Sequence, residues 1–232
     1  ALLEADLENF NRIALDIQEC TRLGIEVVQP DINKSGVYFT VEADEEGGTK
    51  IIRFGLGAIK NVGHEVVENI VNEREENGLY HSFDDFIYRN IKGKLQQRVV
   101  EYLIMAGAMD LWGDRKALLT ILPGIFERFK KQRQVEAHGQ IDFFSVSSGD
   151  DSNKDLIVTP VPDDIKANMR EVLEWEKELL GLYFSSHPLD NLQEFFAQKN
   201  TVPIATIKDL KPGRLIVLGS LITKVLSLIH IS

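Results

Sequence analysis

A chain of 232 residues with 44% hydrophobic residues has enough apolar material for one large domain or two smaller ones, and 27% charged residues is ordinary for a globular protein. No run of about 18 apolar residues is present, which excludes a membrane-spanning helix, and the single cysteine, Cys20, excludes an internal disulfide and fits a reducing cytoplasm. A net charge of −10 argues against a simple nucleic-acid binder.

The charge is unevenly spread. From Phe86 to Arg133 ten basic residues oppose four acidic ones, a local +6 that leaves −16 on the remainder. The start at Ala1 carries neither an initiator methionine nor a signal peptide and is expected to belong to an internal fragment.

In chain order, Leu7, Phe10, Ala14, Ile17 and Leu23 recur at helical spacing, predicting a helix over 3–23 stopped by Gly24, with Cys20 as a buried small hydrophobe. Glu26–Val28 reads as a short strand and Gln29–Asn33 as a turn. Val37–Val41 and Lys50–Phe54 flank an acidic, glycine-containing stretch and predict a β-hairpin. Ile59, Val62, Val66, Val67 and Ile70 keep helical spacing across Gly57 and Gly63, the pattern of a helix-hairpin-helix turn. There the bare amide hydrogens and dipole of a helix start suit a phosphate oxygen, and Lys60 adds a positive charge.

Helices are expected over 64–76, over 82–89 with Ser82 as cap, and over 94–106. A second apolar glycine turn at Gly107-Ala108 follows, with Arg115 and Lys116 just beyond it. The next helix, 114–136, should kink or break at Pro123, and its half from Phe126 should project into solvent. Gln140-Ile141-Asp142-Phe143-Phe144 precedes a serine- and aspartate-rich linker, where an aromatic pair has little local core to enter. Asp163–Leu182 predicts a strong helix starting at Pro162-Asp163-Asp164, followed by a short helix with Leu192, Phe195 and Phe196. Arg214–Ile222 reads as a new strand.

Pro30–Asn33, Phe54–Gly63, Leu103–Asp110, Gln140–Phe144 and Trp175–Tyr183, in this order and spacing over about 225 residues, resemble the alpha subunit of bacterial DNA polymerase III, the C-family replicative polymerase. The resemblance implies a mainly α fold with a small β-hairpin. It divides the chain into the end of the fingers (1–54), a tandem helix-hairpin-helix domain (55–136), a clamp-binding motif with linker (137–163), connecting helices (164–205) and the start of an OB-fold (206–225); residues 226–232 do not continue the family's OB pattern and are expected to be an artefactual tail. It further implies that Lys60, Asn61, Val62 and Gly63, with Gly107 and Ala108 of the second turn, face the phosphates of duplex DNA. Arg115 and Lys116 lie beside them, and Asn61 stands where many relatives carry glycine.

Gln140, Ile141, Asp142, Phe143 and Phe144 resemble the pentapeptide that partners insert into the bacterial sliding clamp, with Phe143 and Phe144 as anchors. Primer-template duplex, the clamp and other replicase subunits are the implied partners, in the cytoplasm and without a membrane. Asp84-Asp85, Asp150-Asp151 and Asp163-Asp164 lie at helix starts or in the linker, and the five histidines lack ligand spacing. No catalytic or metal site is therefore expected in this segment, and the magnesium of the polymerase reaction is implied to sit in an upstream palm. The rival from another class is a non-catalytic DNA-binding repair or replication adaptor with a clamp peptide. A blander third reading is an interaction domain without nucleic acid.

Overall fold

A computed structural model describes residues 10–43, 50–91, 95–137, 158–186, 188–189, 192–202, 204–211 and 213–220. The expected clamp motif, the linker aspartates and the tail at 226–232 lie outside them. The chain divides into two compact units, Ala1–Phe184 and Ser185–Ser232.

In the first unit α1 (Phe10–Arg22) ends where predicted, at Gly24 in the left-handed region, φ 75°. The Ile25 N–H closes the helix end on Cys20 O at 2.9 Å. Cys20 itself is half-buried rather than buried. The hairpin forms from β2 (Thr40–Ala43) and β3 (Lys50–Arg53), antiparallel with Val41 opposite Ile52. β1 (Glu26–Val28) adds to the other edge of β3 in parallel, Val27 opposite Ile52, giving the order β1-β3-β2.

Among the described residues of the unit the α-helices that follow are α2 (His64–Asn77), α3 (Phe83–Asn90), α4 (Gln97–Met105), α5 (Arg115–Ala137) and α6 (Met169–Leu179). Ser82 caps α3 as expected, its hydroxyl accepting from the Asp85 N–H at 3.1 Å. One continuous core includes Ile13, Ile32, Phe54, Ile70, Phe86, Ile104, Phe126 and Leu180. Pro30–Asn33 is drawn into it: Ile32 is fully buried, and its N–H donates to Ala108 O at 2.8 Å.

Three expectations about the helices are corrected. The apolar helix before the first glycine turn shortens to one 3-10 turn, Leu56–Ala58. Gly55 and Gly57 explain it, because this stretch is stitched sideways to the preceding loop: the Leu56 and Gly57 N–H groups donate to Gly36 O and Val37 O, both at 2.9 Å. Next, α5 continues through Pro123, and its second half does not simply project: Phe126 and Phe129 are buried, the latter against the Tyr88 ring at 5.4 Å. Finally, α6 starts at Met169 rather than near Asp163. Asn168 and Glu171 form a reciprocal capping box, while the Ala167 N–H is held by Asp114 Oδ1 at 2.9 Å, so the preceding residues stay outside the helix.

The second unit contains α7 (Gln193–Gln198) and a 3-10 turn at Ile204–Asp209. Arg214–Ser220, expected as a strand, has no regular secondary structure. The Val202 N–H donates to Val217 O at 2.9 Å, but a single bond of this kind is not a ladder.

A Cβ at Gly57 would lie 2.8 Å from Val37 O, whereas one at Gly63 would meet nothing within 4 Å. Gly57→Ala should therefore destabilise by about 1–3 kcal/mol through overpacking, and Gly63→Ala should stay within about 1 kcal/mol of the parent, as urea denaturation would read.

Candidate nucleic-acid interface

The first turn rises from the end of the sheet. Phe54 is buried, Leu56 and Ile59 enter the core, and Val62 follows them at 7% exposure. Between the last two, Lys60 and Asn61 remain on the surface. Asn61 adopts φ 66°, the left-handed conformation that glycine takes most readily and asparagine tolerates. Gly63 caps α2 without a side chain, and neither its N–H nor that of His64 has an acceptor among the described residues.

The Lys60 N–H is committed, donating to Leu179 O of α6 at 3.0 Å, while its ammonium has no ion pair among the described residues. The outcome is an exposed cation and a bare helix start within four consecutive residues. Val62 contributes only backbone there, since its side chain serves the core.

The second turn is built differently. Gly107 takes φ 84°, its N–H donating to Ile104 O at 2.9 Å and that of Ala108 to Leu103 O at 3.0 Å. Both residues are buried, beneath Arg115. Arg115 Nε and Nη2 donate to Asp110 at 2.9 and 2.8 Å, and Nη1 reaches Met105 O and Glu176 Oε1, both at 3.1 Å. Desolvation opposes the guanidinium charge, but Asp110 and Glu176 outweigh it and hold the group above its ordinary value. Glu176, fully buried on α6, also accepts from the Phe184 N–H at 2.7 Å.

Gly107, Ala108 and Arg115, expected to present themselves to phosphates, thus direct the backbone N–H groups of Gly107 and Ala108 and most of the guanidinium N–H groups to acceptors inside the unit. Lys116 is half-exposed but pairs with Glu171 at 2.9 Å, which holds the Glu171 carboxyl below its usual value together with the Asn168 N–H. The structure does not bring the two turns to the surface as equals. Only the first is open.

The aspartate pairs considered for metal are likewise occupied or exposed. Asp84 is buried and bound by Arg128 and by Thr159, whose N–H and hydroxyl lie at 2.9 and 2.8 Å. Asp85 accepts from the His81 N–H and pairs with Arg89. Asp163 and Asp164 are exposed. None of the described aspartate pairs fits a two-metal site.

Two groups of residues escaped sequence reasoning. Asp110 and Glu176 were visible in their motifs without a role, because an acid beside an apolar stripe reads as surface until its distant arginine is known. Tyr38 was assigned to a strand, yet it lies outside β2, with its hydroxyl 3.1 Å from His64 Nε2 at the start of α2.

Comparison with known proteins adds an independent line. The helix-hairpin-helix motif family matches residues 24–119. The chain is 37% identical over 226 residues to a protein named DNA polymerase III subunit alpha from Chlamydia trachomatis, covering 97% of this chain and 18% of that protein. Proteins of the same name match at 32% over 210 residues in Mycobacterium tuberculosis (90% of this chain, 17% of that protein) and at 31% over 227 residues in Escherichia coli (96% and 19%). The chain therefore spans about 18% of the length of the curated relatives it matches.

Removing the buried Glu176 carboxylate strands Arg115. Glu176→Ala should cost about 3–5 kcal/mol in chemical denaturation, against no more than about 1 kcal/mol for Lys116→Ala at its half-exposed pair.

Proposed function

From the premise that this chain belongs to the family of bacterial DNA polymerase III alpha subunits, we propose that it is the part of such an enzyme that holds duplex DNA by its backbone. The observation that supports this most directly is the Lys60–Gly63 turn, with its exposed ammonium, its left-handed Asn61 and a glycine whose Cα faces open space. A phosphate oxygen is the partner such a turn suits, and a grip on phosphates reads no sequence. The parent chain would carry out template-directed addition of deoxynucleotides in the cytoplasm, with magnesium held by residues outside this segment.

Gln140–Phe144 is read as the peptide that tethers the enzyme to the sliding clamp, with other replicase subunits assembling around the same chain. Arg214–Ile222 is read as the opening of an OB-fold in the second unit. Tethering on one DNA molecule raises the effective concentration of a weak backbone contact, so neither element needs high affinity alone.

Lys60→Ala should weaken binding of mixed-sequence duplex about fivefold, roughly 1 kcal/mol, and lower the salt slope by about one. A salt-titrated fluorescence anisotropy series would read both. Unchanged affinity and slope would remove the turn from the interface. Separately, changing Phe143 and Phe144 together to Ala should cut affinity for a purified bacterial sliding clamp by more than about 30-fold in calorimetric titration, since aromatic anchors dominate small interfaces.

A further inference from the structure

We propose that Tyr38 and His64 form a second backbone contact beside the Lys60–Gly63 turn, gripping a neighbouring phosphate of the same strand. The proposal rests on the reading of that turn as a duplex-binding element and extends it to side chains from a different part of the chain.

The loop before β2 is brought to the turn by close backbone packing. A Cβ on Gly55 would lie 2.5 Å from the Tyr38 carbonyl carbon, and one on Gly57 would lie 2.8 Å from Val37 O. Two glycines thus admit the loop, and the paired backbone hydrogen bonds from Leu56 and Gly57 fix it there. Phe39 turns inward, edge-on to Phe54 at 4.8 Å. Its neighbour Tyr38 is left outside, 45% exposed, with its ring tilted over His64 at 5.6 Å.

His64 directly follows Gly63, so the pair borders the bare amides of the turn. The core gains little from a tyrosine in this position. What the pair offers is donors.

Hydrogen-bond chemistry selects an anion. His64 Nδ1 faces Glu68 at 3.4 Å, and Nε2 faces the Tyr38 hydroxyl at 3.1 Å. A carboxylate only accepts, so a proton on Nδ1 would be directed toward Glu68. In the imidazolium form Nε2–H donates to the Tyr38 oxygen, which frees the hydroxyl hydrogen for a phosphate oxygen and adds a positive charge beside Lys60. In the neutral form Nε2 accepts that hydrogen, and a phosphate must compete for it. Tyr38 from the loop and Glu68 from α2 are the titratable groups in contact with the His64 ring, and Lys60 and Glu65 lie near it in the chain.

The test uses the full 232-residue chain and a mixed-sequence DNA duplex in a salt-titrated anisotropy series. Tyr38→Phe should weaken binding by about three- to tenfold, leaving the salt slope unchanged because no charge is lost. His64→Asn, which leaves the tyrosine hydroxyl without its ring partner, should weaken binding by a similar factor. Lys60→Ala serves as the control for the turn itself.

If Lys60→Ala weakens binding while Tyr38→Phe stays within about 1.5-fold of wild type, the second contact is overturned and the reading of the turn stands. If neither substitution matters, both fall. A Tyr38→Phe variant that shifts only the thermal midpoint would make the tyrosine a support for α2, and would overturn the proposal as well.

Discussion

The buried contact of Arg115 with Glu176 is the constraint on which the first unit depends. A guanidinium and a carboxylate, both nearly without solvent, cost several kcal/mol each to desolvate and are stable only with their remaining hydrogen-bonding positions filled. Most are filled here: Asp110 takes two guanidinium N–H groups, Met105 O takes a third beside the one to Glu176, and the second Glu176 oxygen accepts from Phe184. The network therefore joins the glycine turn before α5, the body of α6 and the chain leaving α6. One turn of α6 further on, Leu179 O receives the Lys60 N–H of the other hairpin. α6 thus fastens both turns, although it lies more than fifty residues beyond the second of them in the sequence.

That arrangement separates the two hairpins by role. Gly107 has no room for a side chain because the Arg115 guanidinium lies over it, and a Cβ there would fall 2.4 Å from Nη2. The second hairpin spends its glycine on internal packing. Gly63, by contrast, faces open space with φ −70°, a conformation any residue adopts. Nothing inside the described chain requires glycine there.

Much of this architecture was legible in the sequence, and the failures share a cause. β1, the hairpin, the Ser82 cap, the Gly24 stop, the helix after the first glycine turn and the helix before the second follow from local periodicity and turn chemistry, which act over a few residues. The parallel partner of β1 does not, because Glu26–Val28 meets Lys50–Arg53 only after the intervening hairpin folds. The burial of Phe126 and Phe129 was hidden by the charges around them, and the start of α6 by Asp163-Asp164, a plausible cap outdone by the reciprocal box at Asn168 and Glu171. In the site, Lys60, Asn61 and Gly63 were legible as a surface turn. The seclusion of Gly107, Ala108 and Arg115 was not, since it depends on Glu176, 61 residues from the arginine.

The same internal pairing resolves the conflict between an acidic chain and an anionic partner. Among the described basic residues between Phe86 and Arg133, Arg89, Arg115, Lys116 and Arg128 pair with acids of other elements of the unit, and Arg98 and Lys130 pair with acids on their own helices. Much of the local excess read from the sequence is therefore spent inside the unit. A backbone grip on such a body has to be narrow, resting on one turn and its immediate neighbours. On the proposed reading few phosphates would be neutralised at once, so affinity from this surface alone would be modest and its salt dependence shallow. A narrow, sequence-blind contact of that kind lets duplex slide past, and it is useful chiefly to a protein held on DNA by something else.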